Sequence, residues 1–205
     1  MRGFAQNAMR TCALGAALAV LGATAAAARD TVQYDVTMAI PASCGWASGG
    51  QPAASVDLGD LAKGGERTLP FALDCNTPFV IRAVSQNGAM KREGDLPAGA
   101  ETLFADAVDY DVRLRLGVAQ ANGQTVVRNR TCSSGELFTR AASCPFAGDA
   151  AGQGWDSNNA VANAADAGLP ASSLRLRWDG QANGGPTRVA GSYSDVLTVF
   201  VEAAL

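Results

Sequence analysis

The chain has 205 residues, a formal net charge of −3 and no histidine. The lack of histidine excludes serine–histidine–aspartate catalysis, cysteine–histidine catalysis and imidazole metal sites. With 16 basic and 19 acidic residues, the overall charge does not indicate a nucleic-acid partner or an anionic membrane partner. The length favours one domain with a single sizeable core.

The N-terminus predicts a signal peptide over residues 1–28. Arg2 and Arg10 accompany an apolar stretch from Cys12 to Ala23, and small residues follow it. Cleavage is expected after Ala28, and Cys12 lies in the wrong place for a lipid anchor. No later stretch approaches the roughly 20 apolar residues of a membrane-spanning helix. We therefore expect an exported protein.

The cysteines that follow the signal predict two disulfides in an oxidising compartment. They are Cys44, Cys75, Cys132 and Cys144. Three pairings are open, and we favour Cys44 with Cys75 and Cys132 with Cys144 because each pair brackets a plausible return between strands. A bridge closing about 30 residues would stabilise the fold by roughly 3 to 4 kcal/mol. The cysteine spacings do not match a zinc site.

Alternating apolar and polar residues predict strands along the first half of the chain. The first runs over residues 31–40 and ends at Pro41. A short strand near Val56 and Leu58 precedes two longer ones over residues 68–75 and 79–85. The Asn87–Gly88 pair then indicates a tight turn.

The clearest alternation runs over residues 108–118, where the polar positions include Arg113 and Arg115. A short strand over residues 125–128 follows. A similar alternation returns over residues 174–178, with Arg175 and Arg177 outward and Trp178 inward. For these four arginines we favour a solvated sheet face, with acidic residues of neighbouring strands as partners, over a ligand-binding arginine cluster.

The final strand, residues 195–202, is apolar on both faces, which predicts a contact on each side. Residues 129–170 are irregular, and we expect a long connection tied by the second disulfide, with a short helical turn over residues 159–167. Short strands, turn residues and a cysteine framework predict an all-β, antiparallel sandwich.

Three sequence blocks lie in a recognisable order. Residues 31–44 alternate and end at Cys44, residues 74–79 surround Cys75, and residues 190–201 read Ala-Gly-Ser-Tyr-Ser-Asp-Val-Leu-Thr-Val-Phe-Val. Together they resemble the spore coat protein U domain and, more broadly, subunits of chaperone-usher pili. Residues from about 119 to 172 match no family pattern.

The resemblance implies an immunoglobulin-like, pilin-type sandwich that is incomplete in one chain and is completed by a strand donated from the next subunit. Residues 29–42 would be the donor segment and residues 43–205 the sandwich domain, with the long insertion near residues 129–170. The implied partners are a periplasmic chaperone, an outer-membrane usher and neighbouring copies, without a cofactor or metal. The product would be a surface fimbrium or a secreted protein, with roles in adhesion and biofilm formation.

The resemblance also assigns residues to the two sides of the contact. The donor side chains would be Val32, Tyr34, Val36, Met38 and Ile40. The acceptor edge, which the chaperone would also contact, would be Val196, Leu197, Val199, Phe200 and Val201. An alternative is that the first strand pairs within its own chain.

Other functions have weaker support. A catalytic carboxylate pair is not expected, because Asp109 and Asp111 lie on the outward face of a strand, and we do not expect an enzyme. Residues 156–158 resemble a calcium loop only loosely. The main alternative is a self-complete secreted module that binds carbohydrate or a surface. Trp155 is its candidate contact residue, whereas Trp178 is expected in the core.

Overall fold

The computed structural model describes residues 37–204 except 54, 97–98, 100–102, 163–169 and 184–185. The expected signal peptide and the donor positions Val32, Tyr34 and Val36 lie outside the described residues. The chain divides into two units between Ala39 and Ile40, and all the strands and disulfides below belong to the second unit.

Strands dominate the described residues, with a single short α-helix and a 3-10 turn at Leu61–Lys63. The strands are β1 (Cys44–Trp46), β2 (Gly65–Phe71), β3 (Leu73–Cys75), β4 (Phe79–Ser85), β5 (Met90–Arg92), β6 (Phe104–Ala105), β7 (Ala107–Val108), β8 (Tyr110–Ala119), β9 (Thr125–Ser133), β10 (Trp155–Asp156), β11 (Ser172–Trp178), β12 (Thr187–Arg188), β13 (Tyr193–Ser194) and β14 (Leu197–Ala203). The helix α1 is Ser134–Thr139. Among the described residues, none of the helical segments is long and apolar enough to cross a membrane.

One layer is a four-stranded antiparallel sheet in the order β2-β11-β8-β9. β8 lies at its centre and buries alternate side chains from Tyr110 to Val118, as its sequence pattern predicts. Trp178 of β11 is also buried, which confirms its expected place in the core. The polar residues that alternate with the buried ones along β8 face outward, and Asp109 and Asp111 are exposed.

The other layer contains the antiparallel sheet β10-β4-β14 and the small pair β1-β3. Phe79 and Ile81 of β4 are fully buried in the same core cluster as Leu114 and Leu116 of β8. The two layers therefore enclose one hydrophobic core, and the predicted all-β sandwich class is confirmed.

The predicted strand over residues 68–75 passes from one layer to the other. It breaks at Ala72 into β2, which pairs with β11, and β3, which pairs with β1. Phe71, Leu73 and Cys75 stay buried across the break, so the predicted apolar face is correct. The short strand expected near Val56 and Leu58 is absent from these described positions.

Both favoured disulfide pairings are confirmed. Cys44–Cys75 joins directly opposed residues of β1 and β3. Cys132–Cys144 joins the end of β9 to the segment that follows α1. Each bridge therefore fixes a return of the chain within the sandwich.

The irregular connection expected over residues 129–170 is more ordered than its sequence suggests. β9 continues to Ser133, α1 follows with a capping box between Ser133 and Glu136, and β10 pairs with β4. The helical turn expected from residue 159 is wrong for residues 159–162, since Val161 and Ala162 form bridges with Ala119 and Cys75. Residues 163–167 of that expected turn lie outside the described residues.

Candidate functional site: the edge of β14

The terminal strand β14 is paired along one edge. It runs antiparallel to β4 from Leu197 opposite Ser85 to Ala203 opposite Phe79. In the part of the chain that the structure describes, its other edge has no strand partner. The backbone groups along that edge are therefore available for a further strand.

The core-facing side chains of β14 are less well covered than those of β4. Val201 lies opposite Ile81, and Val199 lies opposite Ala83, so these pairs share the face that packs on the core. Ile81 is 0% exposed, whereas Leu197, Val199 and Val201 are only half-buried. The hydrophobic core is thus incompletely covered along this edge.

β1 lies near part of this edge. Cys44–Trp46 approaches β14, but among the described strands it pairs with β3 alone. β1 has three residues and β14 has seven, so most of the edge extends beyond it. All three residues of β1 are half-buried, and Trp46 stacks edge-on against Phe71 with centroids 5.4 Å apart.

The segment that leads into β1 is held by Asn76. Its side-chain amide donates to the Pro41 carbonyl at 2.9 Å, and its side-chain oxygen accepts from the Ser43 amide at 2.8 Å. Its own backbone amide donates to the Ser43 carbonyl at 3.1 Å. These bonds and the Cys44–Cys75 bridge fix the chain from Pro41, at the end of the expected donor segment, into β1.

The outer face of β14 carries a different contact. Phe200 and Glu202 point away from the core, and both contact Arg82 of β4. The Arg82 guanidinium lies 5.0 Å from the centre of the Phe200 ring and forms an ion pair with Glu202. This cation–π contact explains why Phe200 is apolar on the face opposite Val199 and Val201.

Asp195 fixes the start of β14. The Tyr110 hydroxyl donates to its carboxylate at 2.6 Å and the Ser85 hydroxyl donates at 2.5 Å, while the amides of Asn87 and Val196 donate at 2.9 and 2.8 Å. Burial, together with the neighbouring Asp195 carboxylate, raises the pKa of Tyr110 far above its ordinary value, so this phenol stays a neutral donor.

Unlike β14, the two edge strands of the four-stranded sheet carry residues that oppose pairing with another chain. On β9, Arg128 and Arg130 lie opposite Leu116 and Leu114 and therefore point toward the core side. Arg128 donates to the Ser157 carbonyl at 2.7 Å, and Arg130 lies 5.0 Å from the Trp155 ring.

The opposite edge strand, β2, carries Arg67 and Pro70. Inward charges and prolines on edge strands oppose pairing with another chain. Glu202 is the only charged residue of β14, and it is already paired. Pairing with a further strand is thus opposed on β2 and β9 and not on β14.

The expected donor residues are only partly described. Met38 is 89% exposed and Ile40 is 82% exposed, and residues 37–43 do not form a strand. The strand expected to reach residue 40 is therefore absent over its described part. The remaining donor positions lie outside the described residues.

The structure brings four of the five expected acceptor residues together. Leu197, Val199, Phe200 and Val201 lie on β14, with Phe200 on the outer face, whereas Val196 is exposed and precedes the strand. Sequence reasoning missed Arg82 as their neighbour, because it precedes Glu202 by many residues and its own strand reads as apolar.

Trp155 does not form the exposed ligand platform considered from the sequence. It is buried in β10 opposite Ile81, so its ring belongs to the core. The candidate calcium loop is a local turn in which the Asn158 amide donates to Asp156 at 2.6 Å. Among the described residues, no group of three or more potential metal-binding side chains lies together.

No family model matches the chain, and no curated protein matches it at a significant level.

Proposed function

We propose that this protein is an exported, non-enzymatic structural subunit that assembles into a surface fibre or coat by strand donation. The observation that carries the proposal is the free edge of β14, whose core-facing side chains Leu197, Val199 and Val201 are half-exposed. A strand added there would complete the sheet and cover the core at once.

The proposed donor is the segment over residues 31–40 of a neighbouring copy. Its apolar residues alternate, so one face of a paired strand would bury Val32, Tyr34, Val36, Met38 and Ile40. At roughly 1.5 to 3 kcal/mol for each buried side chain, the five would contribute about 8 to 15 kcal/mol before ordering costs. A burial free energy of this size is what we expect for an assembly that resists dissociation in SDS.

Before assembly, the same edge needs a temporary cover. An exposed apolar strand edge promotes aggregation, and a periplasmic chaperone that lends a strand would prevent it. An outer-membrane usher would then exchange this strand for the donor of the next copy. The two disulfides suit the oxidising compartment in which these steps take place.

The test is an SDS gel of unboiled periplasmic protein, co-produced with the products of neighbouring genes. We expect a ladder of assemblies that collapses to the monomer on boiling. The double variant Tyr34→Asp, Val36→Asp should abolish the ladder, because it places two charges against the apolar core-facing side chains beside the β14 edge.

The matched control is Gln33→Asp, Thr37→Asp, which adds the same charge on the other face of the segment. It should preserve the ladder. If the wild type runs only as a monomer, or if both double variants assemble equally well, the strand-donation proposal is wrong. A monomer with one cooperative thermal transition would instead indicate a sandwich completed within its own chain.

A further inference from the structure

A cluster of arginines lies on the outward face of the four-stranded sheet. Arg113 of β8 is directly opposite Arg175 of β11, and Arg115 follows two residues along β8, opposite Ser173. Like charges in directly opposed positions destabilise a sheet. The fold alone therefore gives no reason for this arrangement.

These arginines border a shallow depression of about 340 Å³, which is near the lower end of small-ligand sites. Its wall consists of Thr68, Arg113, Arg115, Asn129, Ser173 and Arg175. The neutral members add hydroxyl and amide donors to the three guanidinium groups. The site thus offers hydrogen-bond donors and positive charge from four neighbouring strands.

The nearby acidic groups do not neutralise the cluster. Glu66 lies 3.3 Å from Arg175, and Arg115 donates to the Ala171 carbonyl. The Arg113 guanidinium has no ion pair or hydrogen bond with any described residue. Asp111, the next outward residue of β8, lies opposite Arg177 in the following row, and Asp179 lies 3.8 Å from Arg177.

We infer that this face binds an acidic polysaccharide, with the sulfate or carboxylate groups of the polymer held by Arg113, Arg115 and Arg175. Guanidinium groups pair with such oxyanions through two parallel hydrogen bonds. The three arginines occupy two successive rows of the sheet, so two oxyanions of one polymer can be held side by side. The next row is not positive, because Arg177 lies between Glu66 and Asp111 and near Asp179. The net charge of −3 for the whole chain does not reveal this local concentration of positive charge.

Other polyanions fit this face less well. Its outward positions on β8 and β11 carry no aromatic side chain on which nucleic-acid bases could stack. On the outward positions of β8, β9 and β11, Val127 is the one exposed large apolar side chain, which is too little for insertion into a lipid surface.

The experiment measures binding of the full exported protein to immobilised heparin and polygalacturonate, with neutral dextran as a blank, in about 0.15 M salt. We expect the wild type to bind at least one acidic polymer and not dextran. The double variant Arg113→Gln, Arg175→Gln should bind roughly tenfold more weakly. Its thermal midpoint should change little, because relief of the repulsion between Arg113 and Arg175 offsets the loss of the exposed Arg175–Glu66 ion pair.

The matched control is Lys63→Gln, Lys91→Gln, which removes the same charge from exposed positions elsewhere and should preserve binding. The inference fails if the wild type binds neither polymer, if the control loses as much affinity, or if single-stranded DNA or anionic vesicles bind as tightly. Complete displacement by millimolar inorganic sulfate would also overturn it. The SDS gel tests strand donation separately, so a negative result in the binding assay would not contradict the strand-donation proposal.

Discussion

Asp195 connects parts of the chain that are far apart in sequence. Tyr110 comes from the central strand of one layer, Ser85 ends β4 in the other layer, and Asp195 itself leads into β14. Since the carboxylate accepts from side chains of both layers, it fixes the position at which the terminal strand begins. The sequence block over residues 190–201 contains this aspartate, but the sequence does not identify its partners.

The first prediction concerns this network. Tyr110→Phe removes a hydrogen bond to a charged acceptor, and we expect a loss of about 1.5 to 3 kcal/mol in the free energy of unfolding. Urea denaturation should show a lower midpoint with an unchanged slope.

Tyr193→Phe is the matched control, because the Tyr193 hydroxyl donates to the neutral carbonyl of Val189 at 2.7 Å and is only part-buried. Its loss should be smaller, about 0.5 to 1.5 kcal/mol. Equal losses in the two variants would contradict a special role for the Asp195 network.

At the scale of elements, α1 depends on the cap at its first turn. The Ser133 hydroxyl accepts from the Glu136 amide, while the Glu136 carboxylate accepts from the Ser133 amide at 2.9 Å and from the Ser143 hydroxyl at 2.7 Å. The Ser143 bond, followed by the Ser133 amide, lowers the pKa of Glu136 below its ordinary value. The ionised form therefore stabilises the folded state.

The second prediction follows from the direction of this shift. Because the pKa of Glu136 is lower in the folded state, its stabilisation is fully present above the unfolded value of about 4.3 and is lost as the pH falls through the folded value. Glu136→Gln should be less stable than the wild type by about 0.3 to 1 kcal/mol at neutral pH, because Gln lacks the negative charge that the helix N-terminus favours. The two should converge in acid.

Urea midpoints measured across pH test this prediction. Glu93→Gln, which removes an exposed charge elsewhere, is the control and should show little difference at any pH. A constant difference between Glu136→Gln and the wild type down to strongly acidic pH would show that the charge of Glu136 is not the cause.

The elements also show where sequence patterns succeed. β8 was predictable because one of its faces is buried and the other is solvated, which enforces strict alternation. The full length of β9 was missed because Arg128 and Arg130 occupy its core-facing positions. The spacing of Ser133 and Glu136 is a recognisable cap signal, yet α1 has only six residues and lacks a longer helical period.

The sequence predicted the terminal strand of the candidate site but not the strands that surround it. The apolar character of residues 195–202 predicted contacts on both faces of the strand. In the structure, Val199 and Val201 of β14 face the core, and Phe200 contacts Arg82 on the outer face. The pairing of β14 with β4 and the inward arginines on β9 depend on contacts between distant segments, and no local pattern encodes them. The same limit applies to the opposition of Arg113 and Arg175.

For the whole molecule, the two disulfides have different expected effects. The residues of the first bridge are separated by 31 positions and those of the second by 12. In the chain-entropy model their loss costs roughly 4 and 3 kcal/mol, respectively. The first also holds β1, which follows the proposed donor segment, whereas the second lies beside α1.

The third prediction compares their removal. Cys132→Ser, Cys144→Ser should lower the free energy of unfolding by about 3 kcal/mol and leave the SDS-resistant ladder intact. Cys44→Ser, Cys75→Ser should lower it by about 4 kcal/mol and weaken the ladder. Urea denaturation and the unboiled gel measure the two effects. Equal retention of the ladder would show that the first bridge does not support assembly.

The unequal protection of the sheet edges gives any fibre of this protein a polarity. Arg128 and Arg130 on β9 and Pro70 on β2 oppose sideways pairing, so of these three edges β14 is the one that should accept a donor segment. Such a contact is heterologous, and its repetition extends in one dimension unless the rotation between copies closes a ring. The two ends of an open fibre then differ chemically, with an unoccupied β14 at one end and an unused donor segment at the other.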